Sequence, residues 1–215
     1  MALTLYYAPG ACSLAPHVAL EETQARFETV RLNLADGDQR GADYLAINPK
    51  GRVPTLIVDG RPLTEVIAII TYIHQRFPEA GVLPSRDPLL LARTYEVMTW
   101  LASTVHIAFA QITRPHRYVD DSAIAGALAQ PGKARFLKAL SALEELATSS
   151  ESWLIGETFT AADAYALVIR RWAERIDVDL SAFPAWSAKG DKALERPSVI
   201  RALAREAAQS QAEAA

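Results

Sequence analysis

Residues 6–17 of the chain read YYAPGACSLAPH, and this stretch joins an apolar run to sequence with helical periodicity. Pro9 and Gly10 form a turn signal between the two segments, so we expect a strand, a tight loop and then a helix. The chain's only cysteine, Cys12, falls on that loop just before the helix. Because backbone N–H groups at a helix N-terminus stabilise a thiolate, we expect the pKa of Cys12 to be lowered. Ser13 is placed either to cap the same helix or to offer its hydroxyl to whatever sits at Cys12.

The sequence alone leaves two interpretations of Cys12 open. A single free cysteine is commonly a small buried apolar residue inside an element of secondary structure. A cysteine on a loop at the start of a helix is instead typical of a reactive thiol. One cysteine forms neither an internal disulfide nor a CxxC pair, so disulfide exchange through Cys12 needs a second sulfur from another molecule.

The composition is that of an ordinary globular protein. The 215 residues are 50% hydrophobic and carry a net charge of -3 from 22 basic and 25 acidic side chains. The sequence has no basic block, no apolar run of membrane-spanning length and no metal-ligand spacing of cysteine or histidine. We therefore expect no nucleic acid, membrane or metal as a partner. The first residues lack the pattern of a secretory signal peptide, and we expect a cytoplasmic protein.

Strand and helix signals alternate through residues 1–79, which we assign to one domain. The predicted elements are, in order, strand 3–6, helix 14–22, strand 27–34, short helix 43–47, hairpin 52–63 and helix 64–77. Val30, Leu32 and Leu34 are expected on one face of the second strand. The order βαβαββα predicts an α/β domain, a small mixed sheet with helices on both faces.

Strand signals nearly vanish after a turn-rich linker, which we place at residues 80–88. The predicted helices of the second domain, residues 89–215, are 89–113, 133–147, 160–175, 184–194 and 198–207, and the Gln/Ala-rich end is expected to fray. Thr160 and Asp163 have the spacing of a capping box. The fold class is therefore an α/β domain followed by an all-α domain.

Several motifs resemble those of bacterial beta-class glutathione S-transferases. They are Ala-Pro-Gly-Ala-Cys-Ser (8–13), Asn-Pro-Lys-Gly-Arg-Val-Pro (48–54), Leu-Thr-Glu (63–65), His106 and the run from Gly156 to Tyr165. The resemblance covers essentially the whole chain, in the right order and spacing. It implies a thioredoxin-like N-terminal domain, a helical-bundle C-terminal domain, a homodimer, and an active site in the cleft between the domains.

The resemblance also implies the residues that serve the chemistry. Cys12 is expected against the sulfur of glutathione, with which it can form a mixed disulfide. His106 is expected to point at the thiol and to polarise or deprotonate it, with a pKa suited to that role. The electrophile is expected among apolar residues of the second domain, around Val105, Phe109 and Trp172.

The other implied contacts hold the glutathione tripeptide. Pro54 is expected to follow a cis peptide bond, and the backbone of Val53 to pair with the cysteinyl part. Glu65 and Val66 are expected to hold the γ-glutamyl end at a helix N-terminus, where a carboxylate meets free N–H groups. Arg52 completes the set of glutathione-binding residues.

The chain departs from the family pattern at several of these positions. Val66 stands where the family carries Ser or Gly, and Asp36 where a lysine holds the glycyl carboxylate. Thr99 and Ile107 replace a polar and a basic residue. Because each lost charged hydrogen bond costs about 1.5–3 kcal/mol, these departures predict weakened glutathione binding.

The sequence therefore predicts a glutathione S-transferase that conjugates or exchanges the glutathione thiol with a hydrophobic electrophile or a disulfide. Glutathione is expected as the co-substrate, without a metal. One alternative is a glutathione-dependent isomerase, dehalogenase or peroxidase of the same fold. The other is a non-catalytic protein that uses the fold as a binding or interaction scaffold.

Overall fold

The computed structural model describes residues 2–212, and a four-stranded sheet organises the first part of that range. The strands are β1 (Leu3–Tyr7), β2 (Glu28–Arg31), β3 (Thr55–Val58) and β4 (Arg61–Thr64). Their spatial order is β2-β1-β3-β4, with β1 and β2 parallel and the other neighbours antiparallel. The predicted hairpin is confirmed, because β3 and β4 pair directly across Asp59 and Gly60.

The helices that accompany the sheet are α1 (Leu14–Glu22), α2 (Ala42–Ile47) and α3 (Val66–Arg76). The order βαβαββα is therefore confirmed. In α3 the side chains of Ile69, Ile70 and Ile73 are fully buried. Their spacing places them on one face of the helix, which packs into the core.

The remainder, through residue 212, is helical. Its helices are α4 (Pro88–Trp100), α5 (His106–Thr113), α6 (Ser122–Thr148), α7 (Ala161–Arg175), α8 (Pro184–Leu194) and α9 (Pro197–Ala212). A π-helical turn at Leu101–Val105 joins α4 to α5, so the predicted helix 89–113 is one run with a local widening. The predicted capping box is present at the start of α7, where Asp163 accepts the Thr160 N–H at 2.8 Å. An α/β part followed by a helical part is thus the architecture.

Helix α1 lies between the sheet and the helical part. It packs against α3 and also against α7 and α9, so residues 14–21 are all buried. His17 shares this environment, with its ring against Tyr7 and Phe27. Burial lowers the pKa of His17 to about 4, so its imidazole is neutral at pH 7. The helix that follows the cysteine loop is therefore held from both sides.

The second strand differs from its prediction. Strand β2 ends at Arg31, so Leu32 and Leu34 belong to the loop that follows it. Val30 pairs with Tyr6, one residue out of step with the fully buried Leu5, and is 36% exposed. Because successive residues of a strand face opposite sides of a sheet, Val30 and Leu5 lie on opposite faces. The predicted strand face of Val30, Leu32 and Leu34 was wrong, because the strand ends before Leu32.

Helix α6 and the C-terminal helix also differ from the sequence prediction. Helix α6 begins at Ser122, well before the predicted residue 133, and it continues through Pro131. Helix α9 extends to Ala212, beyond the predicted 207, and residues 213–215 of the expected frayed end lie outside the described residues. Within residues 2–212, no helix combines the length and apolar character needed to span a bilayer.

Candidate functional site

The loop between β1 and α1 places Cys12 at the bottom of a cleft. The thiol is 8% exposed, and its Sγ lies 3.7 Å from the carbonyl oxygen of Val53 across the cleft. The Ser13 hydroxyl bonds both the N–H and the carbonyl of Ala8 at 3.2 Å and does not cap α1. The prediction of a Ser13 cap was therefore wrong. The hydroxyl instead closes the loop, because Ala8 is the residue that leaves the strand.

Burial dominates the ionisation of Cys12. It raises the pKa of the thiol to about 11, against a smaller lowering by the Arg114 charge. The predicted lowering of this pKa was wrong for the ligand-free protein. A helix N-terminus favours a thiolate, but removing a charged sulfur from water costs more than this dipole returns.

The segment that faces the cysteine is fixed by buried polar side chains. The Val53–Pro54 peptide bond is cis, as the resemblance implied. The carbonyl of Arg52 accepts hydrogen bonds from Tyr44 Oη and from Asn48 Nδ2, each at 2.7 Å. Because two buried donors hold this carbonyl, the backbone at 52–54 has one orientation relative to the thiol.

The corner between β4 and α3 provides the other wall. Glu65 adopts φ of 73°, a left-handed conformation that is rare outside glycine, directly before the first residue of α3. Its carboxylate accepts a hydrogen bond from Lys50 Nζ at 2.6 Å, and Lys50 also bonds Thr64 Oγ1 at 3.0 Å. The first N–H groups of α3 have no partner inside the helix, and Val66 lines the cleft beside them.

These walls enclose a cavity of about 280 Å³ that the helical part closes. All the site residues predicted from the sequence line it, namely Cys12, Arg52, Val53, Pro54, Glu65, Val66 and His106. The facing wall comes from the helical part and consists of Ala102, Ile107, Ala110, Arg117, Tyr118 and Tyr165. The fold thus brings together residues from widely separated stretches of sequence.

His106 reaches the cavity from the first turn of α5. Its ring centroid lies 4.6 Å from that of Trp172. Burial, followed by the charges of Arg114, Arg52 and Arg117, lowers its pKa to about 4. The predicted near-neutral pKa was therefore wrong. A neutral imidazole at pH 7 accepts a hydrogen bond from a thiol but is a weak base toward it.

The residues expected to form the electrophile wall are buried instead. Val105 and Phe109 are 0% and 1% exposed, and the Phe109 ring stacks on Trp172 at a centroid distance of 4.6 Å. The Trp172 indole N–H donates to the carbonyl oxygen of Gly10 at 2.8 Å, which ties the helical part to the cysteine loop. The apolar surface of the cavity of about 280 Å³, called the larger cavity from here on, comes from residues such as Ile107 and Ala110.

Sequence reasoning missed three arginines beside the thiol. Arg114, Arg117 and Arg175 line a smaller cavity of about 90 Å³ together with Cys12 and Arg52. Two of them flank the Pro115 turn, whose only sequence signal was a proline expected to end a helix. Neither motif spacing nor periodicity distinguishes an arginine that faces a site from one on an ordinary surface.

Asp36, one of the departures from the family pattern, lies outside the site. Among the described residues, Asp36 lines neither cavity, and its carboxylate accepts a hydrogen bond from Asn33 Nδ2 at 2.7 Å. The expected repulsion from Asp36 therefore has no basis in the cavity lining. Within residues 2–212, no group of three or more His, Cys, Asp or Glu side chains is arranged to hold a metal ion.

A mixed sheet that carries a thiol loop opposite a cis-proline, with a helical bundle closing the cleft, defines the fold of a glutathione transferase. Residues 1–75 match the N-terminal domain of the glutathione S-transferase family, and residues 104–196 match its C-terminal domain. The chain therefore belongs to the glutathione S-transferase family, and it is a transferase.

Individual relatives span the whole chain. Glutathione S-transferase GstA of Escherichia coli O157:H7 is 34% identical over 206 residues, which cover 95% of this chain and 98% of that protein. Maleylacetoacetate isomerase of Pseudomonas aeruginosa is 30% identical over 209 residues, with 94% and 95% coverage. A solved glutathione transferase homologue from Sulfitobacter, with bound glutathione, superposes with a TM-score of 0.88 at 33% identity, covering 93% of this chain and 96% of that one.

Proposed function

We propose that this transferase binds glutathione in the larger cavity and joins its sulfur to an electrophile held against the helical wall. One observation carries the proposal: seven residues predicted from separate motifs, the only cysteine among them, line the same cavity. The solved Sulfitobacter homologue with bound glutathione supports the choice of thiol.

The tripeptide fits the cavity by charge and hydrogen bonding. The backbone of Val53 pairs with the cysteinyl part, and the γ-glutamyl carboxylate meets the free N–H groups at the start of α3. The carboxylate of Glu65 binds the α-ammonium group while it also accepts the hydrogen bond from Lys50. The backbone N–H of Val66 remains available to a carboxylate although the family's hydroxyl is missing.

Cys12 and His106 are the groups we assign to the sulfur. With a pKa of about 11, Cys12 is a neutral thiol at pH 7 and donates an S–H hydrogen bond to the glutathione thiolate. His106 accepts the hydrogen bond of the bound thiol before ionisation; the thiol proton then passes to solvent water, and Arg52 and Arg114 stabilise the resulting thiolate. In conjugation the thiolate attacks the electrophilic carbon and the leaving group departs with the bonding electron pair.

We further propose the domain division 1–79, 80–88 and 89–215, a homodimer and a cytoplasmic location. The N-terminal family match ends at residue 75 and the C-terminal match begins at residue 104, which supports a domain junction between those positions. A free cysteine at the centre of the site suits a reducing compartment.

Calorimetric titration with reduced glutathione tests the binding mode. The ligand pair is glutathione and glutaryl-cysteinylglycine, which lacks only the α-ammonium group. We expect Glu65→Gln to weaken glutathione binding about tenfold, through loss of a charged hydrogen bond, and to affect the deaminated ligand much less. The matched control Glu79→Gln removes an exposed acid that lines neither cavity and should change neither affinity. Absent binding of glutathione at several millimolar would refute the proposal.

A second candidate is isomerisation with glutathione as a recovered catalyst, and the Pseudomonas aeruginosa maleylacetoacetate isomerase favours it. In that reaction the thiolate adds to an activated double bond and leaves again after rotation. Product analysis separates the two, because conjugation consumes one glutathione per turnover and isomerisation returns it.

A further inference from the structure

Four arginines converge beside the thiol without a partner of opposite charge. Arg52, Arg114, Arg117 and Arg175 line the smaller cavity, and no hydrogen bond or ion pair to the guanidinium group of any of the four is found among residues 2–212. Other arginines of the helical part do have carboxylate partners; Arg170, for example, lies 2.7 Å from Asp191.

The four guanidinium groups repel one another in the ligand-free protein, where Arg114 is half-buried and the other three are more exposed. Burial, followed by repulsion from neighbouring cations, lowers the pKa of both Arg114 and Arg117, although arginine keeps its charge in proteins. The acid of the larger cavity, Glu65, is already bonded to Lys50. Clustered cations without counterions favour the binding of an anion.

Glutathione alone does not match this charge. At neutral pH it brings one carboxylate at its glycyl end and, once ionised, one thiolate to this side of the site. The α-carboxylate is assigned to α3, on the far wall of the cavity. Four positive charges facing two negative ones leave room for a second anionic group.

Arg117 is the arginine placed to meet that group. It lines both cavities from the helical wall, as Arg52 does from the opposite wall, whereas Arg114 and Arg175 line only the smaller one. Its neighbours in the larger cavity include Ile107 and Tyr118, which offer apolar surface to the body of a substrate. Arg114 lines the smaller cavity together with Arg117 and Cys12.

We propose that Arg117, supported by Arg114, binds a carboxylate on the electrophilic substrate, so that the second substrate is an apolar anion and not a neutral molecule. This inference rests on the proposed glutathione-dependent function. Charge attraction would orient the electrophile with its reactive carbon toward the sulfur and its carboxylate toward the Pro115 turn.

Two chloroarenes of similar shape test the inference at saturating glutathione. These are 1-chloro-2,4-dinitrobenzene, which is neutral, and 4-chloro-3,5-dinitrobenzoate, which carries a carboxylate. In both reactions a C–S bond forms, the C–Cl bond breaks, and chloride leaves with the bonding pair. The measured quantity is kcat/KM for each electrophile in the wild type, in Arg117→Gln and in a control, Arg26→Gln.

The control removes an exposed arginine at the opposite end of the sheet, just before β2, and should change neither value. We expect Arg117→Gln to lower kcat/KM for the benzoate about tenfold more than for the neutral arene, the size of a lost charge-assisted hydrogen bond. Higher ionic strength should reduce the wild-type value for the benzoate selectively.

Three results would overturn the inference. Equal losses of kcat/KM for both electrophiles in Arg117→Gln would mean that Arg117 does not bind the carboxylate. A raised KM for glutathione would assign the arginines to the glycyl carboxylate. Turnover of the neutral arene alone by the wild type would refute the anionic substrate and leave the proposed function standing.

Product binding decides the case in which neither arene reacts. Calorimetric titration would compare S-(2,4-dinitrophenyl)glutathione with S-(4-carboxy-2,6-dinitrophenyl)glutathione, the product expected from the benzoate. Tighter binding of the carboxylate product to the wild type, lost in Arg117→Gln, would support the inference even without turnover. Equal binding of the two products would refute it, whereas absence of glutathione binding itself would refute the proposed function.

Discussion

At the scale of single residues, Cys12 shows how burial and local field compete. Its position at a helix start, with Arg114 nearby, favours the thiolate, yet burial raises its pKa to about 11. Thiolate therefore makes up only about one part in ten thousand of the ligand-free site at pH 7. The arginines of the cleft therefore favour a negative charge on a bound substrate, whereas Cys12 itself is neutral at pH 7.

Alkylation of the free protein by iodoacetamide measures this directly, because Cys12 is the only thiol. We expect the second-order rate constant to rise steadily with pH toward about 11, since the thiolate is the reacting species. Unfolded in guanidinium chloride, the same residue should titrate near the ordinary pKa of about 8.5. An alkylation rate constant of the native protein that levels off below pH 8 would contradict the effect of burial on the pKa.

The same shift bears on stability at alkaline pH. The folded-state pKa lies above the unfolded one, so the unfolded chain loses this proton first as pH rises. The contribution of Cys12 to the free energy of unfolding is therefore complete below the pKa of the unfolded chain, and it is lost as the pH rises from that value to about 11.

The sequence predicted that the pKa of Cys12 would be shifted but gave the wrong direction of the shift, because the burial of a residue cannot be inferred from the sequence of its loop.

At the scale of elements, α6 explains an error of the sequence prediction. Gly126, Pro131 and Gly132 are helix-breaking residue types, and they hid the first half of the helix. The structure gives one of them a purpose. A Cβ at Gly132 would lie 3.0 Å from Gln111 Cβ and 3.3 Å from the Ala108 carbonyl, so the glycine permits close packing of α6 on α5.

The two glycines of α6 make opposite predictions for substitution by alanine. Gly132→Ala should lower the free energy of unfolding by about 1–3 kcal/mol, because stiff atoms of α5 must move away. Gly126→Ala, where nothing lies within 4 Å, should raise it by about 0.5–1 kcal/mol through helix propensity. Urea unfolding followed by circular dichroism measures both. Stabilisation by both substitutions would show that α5 and α6 are not closely packed at Gly132.

Other elements were predictable because their signals are local. Helix α1 begins and ends at the predicted residues 14 and 22, and α7 begins just after the predicted capping residue Thr160. Strand β2 was predicted too long, over 27–34 and not Glu28–Arg31, because the end of a strand depends on how far it pairs with β1. Strand pairing is a tertiary property even where strand propensity is clear.

At the scale of the whole molecule, ion pairs hold α1 against α9. Glu21 is 4% exposed, and its carboxylate lies 2.6 Å from Arg201 Nε and 2.8 Å from Arg205 Nε. Further along α9, the buried carboxylate of Glu206 accepts the Gly10 N–H at 3.3 Å. The seam between the two parts of the fold thus extends to the loop that carries Cys12.

Replacing the buried acid should weaken this seam. We expect Glu21→Gln to lower the free energy of unfolding by about 1–3 kcal/mol, because two half-exposed arginines lose their buried partner. The control Glu28→Gln, on the exposed side of β2, should change it by less than about 0.5 kcal/mol. Urea titration followed by tryptophan fluorescence gives both values. A Glu21→Gln variant as stable as the control would show that apolar contacts alone join α1 to α9.

The sequence by itself determined the order of elements, the family and seven of the residues that line the larger cavity. These follow from local periodicity and from motifs whose spacing survives in a single chain. Only the tertiary structure decided the pKa directions of Cys12 and His106, the burial of the expected electrophile wall, and the cluster formed by Arg52, Arg114, Arg117 and Arg175. Burial and Coulomb interaction depend on distances between residues remote in sequence, and those distances exist only after the two parts of the chain have packed together.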